Sequence, residues 1–337
     1  MISTSLVSAT SETVYSCGPV ELRLTFEDAA LRDALHGLLS QYDAPWPHCA
    51  SSVRVVVARG VSPIPASEIS GTYLHSSRLR VDRQGTRLIS LSNVGVWMEF
   101  DSEAGHSRIM APFHPDWPAL VEEIEQQLVL LLARAWAQAG WTPLHAGSRI
   151  PPGEKRCVLL CAPSGVGKTT LIAALLRRGW RTLGDDKTLL RKENGGVVAR
   201  ALARRFHLHP ASSRWFPDAS DISAWPRYSR WTDKRVVRIE KIWPGRLLDS
   251  AIPAGAVQLA RIENGLVVEP LDRINTLNTL LRQVAIPADA EHARPLVSCI
   301  AATVANLNSA LMKIGHDAFA DPCVVDRLDE ALRRLLP

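Results

Sequence analysis

Ala162-Pro163-Ser164-Gly165-Val166-Gly167-Lys168-Thr169 is the stretch on which the fold turns. It follows a short continuous apolar run, 157–161, and precedes a helical pattern from about Thr169 to Arg178 that Gly179 stops. The spacing is that of GxxxxGK[ST], with alanine at the first glycine. Gly165 and Gly167 let the backbone fold tightly, so that successive N–H groups point inward at phosphate oxygens. The helix that follows adds the positive end of its dipole. In such a loop Lys168 supplies a point charge for the β- and γ-phosphates, and the Thr169 hydroxyl ligates Mg²⁺. Ser164, Gly165, Val166, Gly167, Lys168, Thr169 and Thr170 are therefore the expected cradle for a nucleoside triphosphate or a similar phosphate ligand.

Working outward, 180–183 reads as a strand ending in Gly184-Asp185-Asp186, so that strand, loop, helix and strand make a βαβ unit. The two aspartates lie 17 and 18 residues beyond Lys168. Ligands of open α/β sheets sit outside the carboxyl ends of the strands, which places both carboxylates near a γ-phosphate. Neighbours in a strand point opposite ways and so take different jobs. One holds Mg²⁺ through water and the other accepts a proton from a substrate hydroxyl. The plainer alternative is one metal-side aspartate with a surface neighbour.

Further on, 203–246 is rich in Trp, Arg, Pro and Ser and fits no clean period. From Arg204 to Arg246 basic residues outnumber acidic ones by ten to four, interleaved with Trp215, Trp225, Trp231 and Trp243. That mixture suits a lid over an anionic nucleotide and a peptide, an irregular crossover packed by its tryptophans, or, least well, a single-stranded nucleic acid. Strands are expected at 235–239, 256–262 and 266–269, with Asn264-Gly265 as the turn between the last two. Helices are expected at 274–284, 295–314 and 324–336.

Before the loop the grammar differs. Alternation marks 21–26 as a strand, and leucines at 31, 35, 38 and 39 mark 27–40 as a helix. The β-branched run 53–58 is a strand, 79–81 and 87–91 flank a hairpin turn at 82–85, and 94–100 is a strand with Trp97 at the core. The pattern over 115–140 is a long helix that Gly140 terminates. A boundary at its end divides the chain into 1–140, a smaller α+β domain, and 141–337, which carries the loop.

Composition narrows the class. Hydrophobic residues make up 46% and charged ones 22% of 337, an ordinary globular mix that excludes disordered and fibrous chains. The longest apolar stretch, in 128–137, is broken at Arg134, far short of the roughly 20 residues that span a bilayer. The first residues have neither a basic n-region nor a long apolar h-region, so no membrane partner and a cytoplasmic chain are expected. Cys17, Cys49, Cys157, Cys161, Cys299 and Cys323 show no metal spacing and read as structural thiols. The net charge of +5 suits an anionic ligand and is too diffuse to indicate nucleic acid.

Leu144-His145-Ala146, the glycine loop and Gly184-Asp185-Asp186 together resemble the HPr kinase/phosphorylase family and its HprK-like relatives. The series PLHAGSRI, CAPSGVGKTT, LLRRGW and TLGDD runs in the family's order at close to its spacing. Asp233-Lys234-Arg235 looks like its "Gly-Lys-Arg" segment, and Phe206-His207-Leu208-His209-Pro210 like its "Arg-Leu-Trp-Pro" region. The resemblance covers about 141–245. It departs from true HPr kinases at Thr170, where they carry glutamate, and in lacking their Glu-Ile-Arg-Gly-Leu-Gly signature. In layout the chain is most similar to the HprK-like kinases of peptide biosynthesis, some of which phosphorylate a serine of a lasso-peptide precursor.

The resemblance implies an α/β P-loop kinase core of the HPr kinase/PEP carboxykinase type behind a smaller N-terminal α+β domain. It implies Asp186 as the base for the substrate hydroxyl, Lys168 as the stabiliser of the transferring phosphoryl, and Thr169 with Asp185 on Mg²⁺. His145 matches the family's active-site histidine, and Lys234 and Arg235 are implied to neutralise charge, the arginine better because of its fork. ATP and Mg²⁺ are the implied cofactors, a serine of a peptide or small protein the implied acceptor, and a homo-oligomer is compatible with both. Two other functions fit the same residues: a small-molecule kinase on this scaffold, and a nucleotide-binding regulator without transfer activity.

Overall fold

The structure, a computed structural model, describes residues 11–336 apart from 43, 73, 76, 77, 102, 104, 164, 217, 220, 230, 231, 285, 287–289, 316 and 320. Ser164 of the loop and Trp231 of the tryptophan-rich segment lie outside the described residues. The fold is mixed α/β with several sheets, divided into two compact units. The first is built from the described residues of Met1–Ser40 and Trp46–Ala139, the second from Gln41–Pro45, Gly140–Ile286 and Ala290–Pro337.

The first unit holds β1 (Ser11–Cys17), β2 (Val20–Phe26), α1 (Ala29–Leu39), β3 (Ser51–Arg59), β4 (Leu74–His75), β5 (Leu79–Gln84), β6 (Arg87–Ser92), β7 (Trp97–Asp101), β8 (His106–Ala111) and α2 (Trp117–Gln138). Its eight strands form one sheet in the order β1-β2-β3-β8-β7-β6-β5-β4. β2, β3 and β8 are mutually parallel, and α1 makes the crossover from β2 to β3. Asp28 caps α1 by accepting from the N–H groups of Ala30 and Leu31, and Leu31, Leu35, Leu38 and Leu39 bury its apolar face. The hairpin β5–β6 forms, but 82–84 continue β5 as paired residues and the turn is the two-residue Gly85-Thr86, with Gly85 at φ +61°. Trp97 is buried in a cluster with Ile69, Ile89 and Leu91.

The second unit contains β9 (Thr142–Leu144), β10 (Gly147–Arg149), β11 (Arg156–Cys161), α3 (Lys168–Arg177), β12 (Thr188–Glu193), β13 (Gly196–Ala201), β14 (Arg205–Leu208), β15 (Arg227–Ser229), β16 (Thr232–Arg238), the single turn α4 (Ile239–Ile242), β17 (Ser250–Arg261), β18 (Leu266–Pro270), α5 (Arg273–Leu281), α6 (Ala290–Val304), β19 (Asn308–Ile314) and α7 (Pro322–Arg333). β17 is the spine. It runs parallel to β11 on one side and to β19 on the other, and its first residues pair with β13. β14, β16 and β15 make a separate three-stranded sheet. β11 is buried along both faces, which is why it reads as a continuous apolar run. Leu171, Ile172, Leu175 and Leu176 of α3 pack with Val158, Leu160, Trp180 and Phe206 in the core of this unit.

Three expectations are corrected. The segment 180–183 is not a strand: only isolated bridges, Ile150 with Arg181 and Thr182 with Leu247, tie it to its neighbours. No strand directly after α3 returns parallel to β11; β17, its parallel neighbour, comes only after β12–β16, whereas β2–α1–β3 is a direct βαβ crossover. The run 295–314 is not one helix. α6 ends at Val304, and 308–314 alternates its buried residues Ala310, Met312 and Ile314 as the strand β19. Asn264-Gly265 turns the chain, but β19 lies between β17 and β18, so those two strands make no hairpin.

Trp215 and Trp225 pack against the core of the second unit, and buried Trp243 meets Phe216 edge-on at 6.1 Å between centroids. Among the described residues, this segment's tryptophans thus serve packing. No disulfide joins any of the six cysteines among the described residues, and burial pushes the Cys157 and Cys161 thiols up to about 12. No helix among the described residues is long and apolar enough to cross a membrane.

Candidate active site

The glycine loop joins β11 to α3. Gly165 and Gly167 take φ values of +83° and +106°, which residues with a Cβ adopt only with strain. Gly167 is also the N-cap of α3, and its carbonyl accepts the N–H of Leu171 at 2.9 Å. At the other end Gly179 (φ +93°) donates to the Leu176 carbonyl and Trp180 donates to that of Leu175, a glycine-terminated stop. Thr170 is half-buried in the first turn, and Val166 packs against the core.

Lys168 opens the helix with its side chain turned inward, 9% exposed, and its Nζ finds no hydrogen-bond partner among the described residues. An ammonium group in such a place forgoes hydration without compensation. The Thr169 hydroxyl donates to Asp185 Oδ2 at 2.9 Å. Asp185 is 2% exposed, receives the His207 backbone N–H on the same oxygen at 3.5 Å, and leaves Oδ1 without a partner among the described residues.

The aspartates reach this place through a bend rather than a strand end. Thr182 Oγ1 accepts the Gly184 N–H at 3.0 Å and Ser148 Oγ accepts the Leu183 N–H at 2.8 Å, which fold the chain over β10. The fit is close. A Cβ on Gly147 would stand 2.3 Å from the Asp185 carbonyl oxygen, and one on Gly184 2.5 Å from that of Ala203. The carboxylates therefore do not alternate across a strand. Asp185 turns to Thr169, while Asp186, half-buried, lies within reach of the charges of Lys187, Lys168, His207 and His145.

Those charges set the protonation states. Burial, and then the charge of Asp186, push Asp185 up to about 6, against the pull of Lys168, the Thr169 hydroxyl and Arg149. Burial also raises Asp186, but Lys187, Lys168 and the two histidines outweigh it and hold its carboxyl below the ordinary range. His145 keeps a solvent-facing edge. Crowding around its ring and then the charge of Lys168 hold its pKa below the usual value. Burial drives His207 down to about 4 against the opposing pull of Asp186. At neutral pH both imidazoles are thus neutral beside two ionised carboxylates.

His145, Lys168, Thr169, Asp185 and Asp186 come together. Arg235 does not join them. On β14 and β16 His207 is opposite Val236, so they share a face, and Lys234 shares it by alternation. Arg235 is opposite Leu208 on the other face, where its Nη1 donates to the Trp225 carbonyl at 3.4 Å. Of the two cations, it is Lys234 that acts on His145 and His207, alongside Lys168 and Lys187.

Sequence reading missed His207, Lys187 and Arg149 as members of the cluster. His207 is 8% exposed, has no partner for Nε2 among the described residues, and lies against the Tyr228 ring with centroids 3.9 Å apart. The alternation Phe206-His207-Leu208, apolar around polar, carried that signal. Lys187 follows the aspartates directly. Arg149, wholly buried on β10, donates to the Ser148 carbonyl and acts electrostatically on Asp185. Nothing in its sequence context marks it.

No protein-family model matches the chain, and no curated protein matches it. Among solved structures the chain is similar to the Hpr(Ser) kinase/phosphatase from Coxiella burnetii at 13% sequence identity and a TM-score of 0.32, over 57% of this chain and 94% of that one.

Proposed function

We propose that this chain is an ATP- and Mg²⁺-dependent kinase that transfers the γ-phosphoryl group to a hydroxyl, that of a serine in a peptide or small protein. One observation carries the reading: at the head of α3 a buried Lys168 ammonium acts on the buried Asp185 carboxylate, and neither Lys168 Nζ nor Asp185 Oδ1 has a hydrogen-bond partner among the described residues. A phosphate chain with its counter-ion satisfies both, the oxygens meeting Lys168 and the glycine-loop N–H groups. The motif series of His145, the loop and the aspartates supports the same class.

The donor set fits Mg²⁺, which takes one or two protein oxygens and completes its shell with phosphate and water. Thr169 Oγ1 and Asp185 would hold it. Bound there, Mg²⁺ neutralises charge on the phosphate oxygens. The chain's own residues do the rest. Lys168 stabilises charge on the transferring group, and Asp186 takes the proton of the acceptor hydroxyl as its oxygen bonds to phosphorus and ADP departs. A carboxylate of low basicity suffices, because the loose transition state needs the hydroxyl aimed more than deprotonated. His145 and His207, neutral, orient Asp186 without competing for its proton.

Incubation with γ-labelled ATP and pooled serine peptides tests the reading. The wild type should label peptide. Lys168→Ala should weaken nucleotide binding and lower transfer by about 10³-fold or more. Asp186→Asn should keep nucleotide binding and lower transfer by about 10²–10⁴-fold. Unchanged turnover in Lys168→Ala refutes the assignment of the loop, and rescue of Asp186→Asn by excess Mg²⁺ reverses the roles of the aspartates.

A further inference from the structure

A cavity of about 290 Å³ opens at the carboxyl ends of the parallel strands β11 and β17. Cys161, Ala162 and Pro163 form one side, where the strand passes into the glycine loop, and α5 with Gln258 of β17 forms the other. From α5 and its C-cap it takes Asn275, Asn278, Thr279 and Arg282. These recur at three and four residues and so make one stripe of helix surface. The stripe is open to solvent, with Asn275, Asn278 and Arg282 exposed and Thr279 half-buried, and it offers carboxamide, hydroxyl and guanidinium groups to the cavity while the buried Thr276 and Leu280 do the packing. The Thr279 hydroxyl donates to Gln258 Oε1 at 2.8 Å, which fixes that carboxamide, whose N–H groups are donors at the cavity.

The cavity connects to the acid pair through the backbone of His145. Gln283, part of its lining, accepts the His145 N–H on its carbonyl at 2.9 Å, and His145 acts electrostatically on Asp186. The far end of the loop is different ground: Phe319 lies 3.6 Å from where a Cβ on Gly167 would be, and Trp215 meets its ring at 5.6 Å. The polar cavity thus lies on the side of the loop where His145 leads to Asp186.

Its chemistry selects a ligand. Carboxamides both donate and accept, as do the alternating carbonyl and N–H groups of an extended main chain. Among the described residues no carboxylate lines the cavity. Arg282 at the cavity, with Lys168, Lys187 and Lys234 around the acid pair, makes the neighbourhood cationic. Building on the kinase reading above, we propose that this cavity is the acceptor subsite, which holds the main chain beside the reacting serine of a peptide with neutral or acidic flanks.

The test uses the full chain, γ-labelled ATP, three pools of serine peptides with neutral, acidic or Lys/Arg flanks, and a pool of sugars and polyols. Binding of a fluorescent ATP analogue is followed in parallel. Neutral and acidic pools should be labelled at least about tenfold faster than the basic pool. Asn278→Leu, a change at an exposed position, should raise the peptide KM about tenfold while kcat and the nucleotide Kd stay put, as expected for a lost ground-state contact. Arg282→Glu should abolish the preference for acidic flanks. An unchanged peptide KM in Asn278→Leu, or a weakened nucleotide Kd in its place, overturns the cavity assignment and leaves the kinase reading standing. Label entering only sugars or polyols overturns the peptide class. A wild type that binds no nucleotide overturns the kinase reading and this inference with it.

Discussion

Asp185→Asn should make the unliganded protein more stable and remove its Mg²⁺-dependent nucleotide binding. The folded chain holds this carboxyl at about 6 against an ordinary 3.8, through burial and the neighbouring Asp186 charge. At about 1.4 kcal/mol per pH unit, keeping Asp185 ionised at pH 7 costs the folded state on the order of 3 kcal/mol. Between roughly pH 4 and 6 the folded state binds more protons than the unfolded one, so this contribution to stability falls as pH rises through that window and is fully lost above it. Asparagine removes the charge and keeps an oxygen for the Thr169 hydroxyl, but leaves buried Lys168 with less compensation, which reduces the gain to about 1–2 kcal/mol. Urea denaturation read by tryptophan fluorescence at pH 4.5, 5.5 and 7 is the measurement, with the variant's advantage growing with pH. A variant that is less stable than wild type at pH 7, or whose advantage is the same at all three values, refutes the claim that this carboxylate is held against its own solvation.

Three shorter predictions concern geometry. Gly147→Ala puts a methyl 2.3 Å from the Asp185 carbonyl oxygen and 2.8 Å from Ile172 Cδ1, so it should lower stability by about 2 kcal/mol or more and abolish nucleotide binding; calorimetry and a binding titration check both. Lys234→Met should lower transfer at least about tenfold while Arg235→Met leaves it nearly unchanged, since only Lys234 shares the face of His207; equal losses in steady-state assays contradict that register. In the first unit burial raises the buried Asp82 carboxyl, but the backbone and hydroxyl donors of Thr72 and Ser70 outweigh it and hold its pKa below the ordinary range. Its contribution to stability is therefore present above the unfolded carboxyl range and lost as pH falls through the lower folded value, and Asp82→Asn should cost about 2–3 kcal/mol at pH 7 in chemical denaturation.

How legible each part was in the sequence follows from the range of the forces that shape it. The glycine loop, α3 and its Gly179 stop are local devices, and spacing alone reveals them. The hairpin of β5 and β6 is equally local. The stretch 180–183 carries the composition of a buried strand, but Thr182 and Ser148 side chains take the N–H groups that a ladder would use, and no periodicity reports that competition. In 295–314 the apolar residues are dense enough to satisfy both periods. What decides for a strand in the second half is a place beside β17, which only tertiary structure supplies. β1 and β8 escaped notice because one starts near the chain's polar beginning and the other, His106–Ala111, mixes charge into its alternation.

The candidate site shows the same division more sharply. Lys168 and Thr169 are legible because one motif contains them, whereas His207 and Lys234 arrive on a separate three-stranded sheet whose register decides which side chains face the aspartates. That register has a consequence for ligand choice. With both histidines neutral, three lysines and the buried Arg149 face two aspartates, and among the described residues the Lys168 ammonium and Asp185 Oδ1 are buried without hydrogen-bond partners. A simple anion would satisfy the ammonium and worsen the carboxylate. A simple cation would do the reverse. A polyphosphate with a divalent counter-ion is anionic where Lys168 needs it and cationic where Asp185 needs it, so it is the one chemistry that relieves both at once. Inorganic triphosphate with Mg²⁺ should therefore raise the melting temperature more than the sum of either alone, and strict additivity would show that the two buried groups do not read a common ligand.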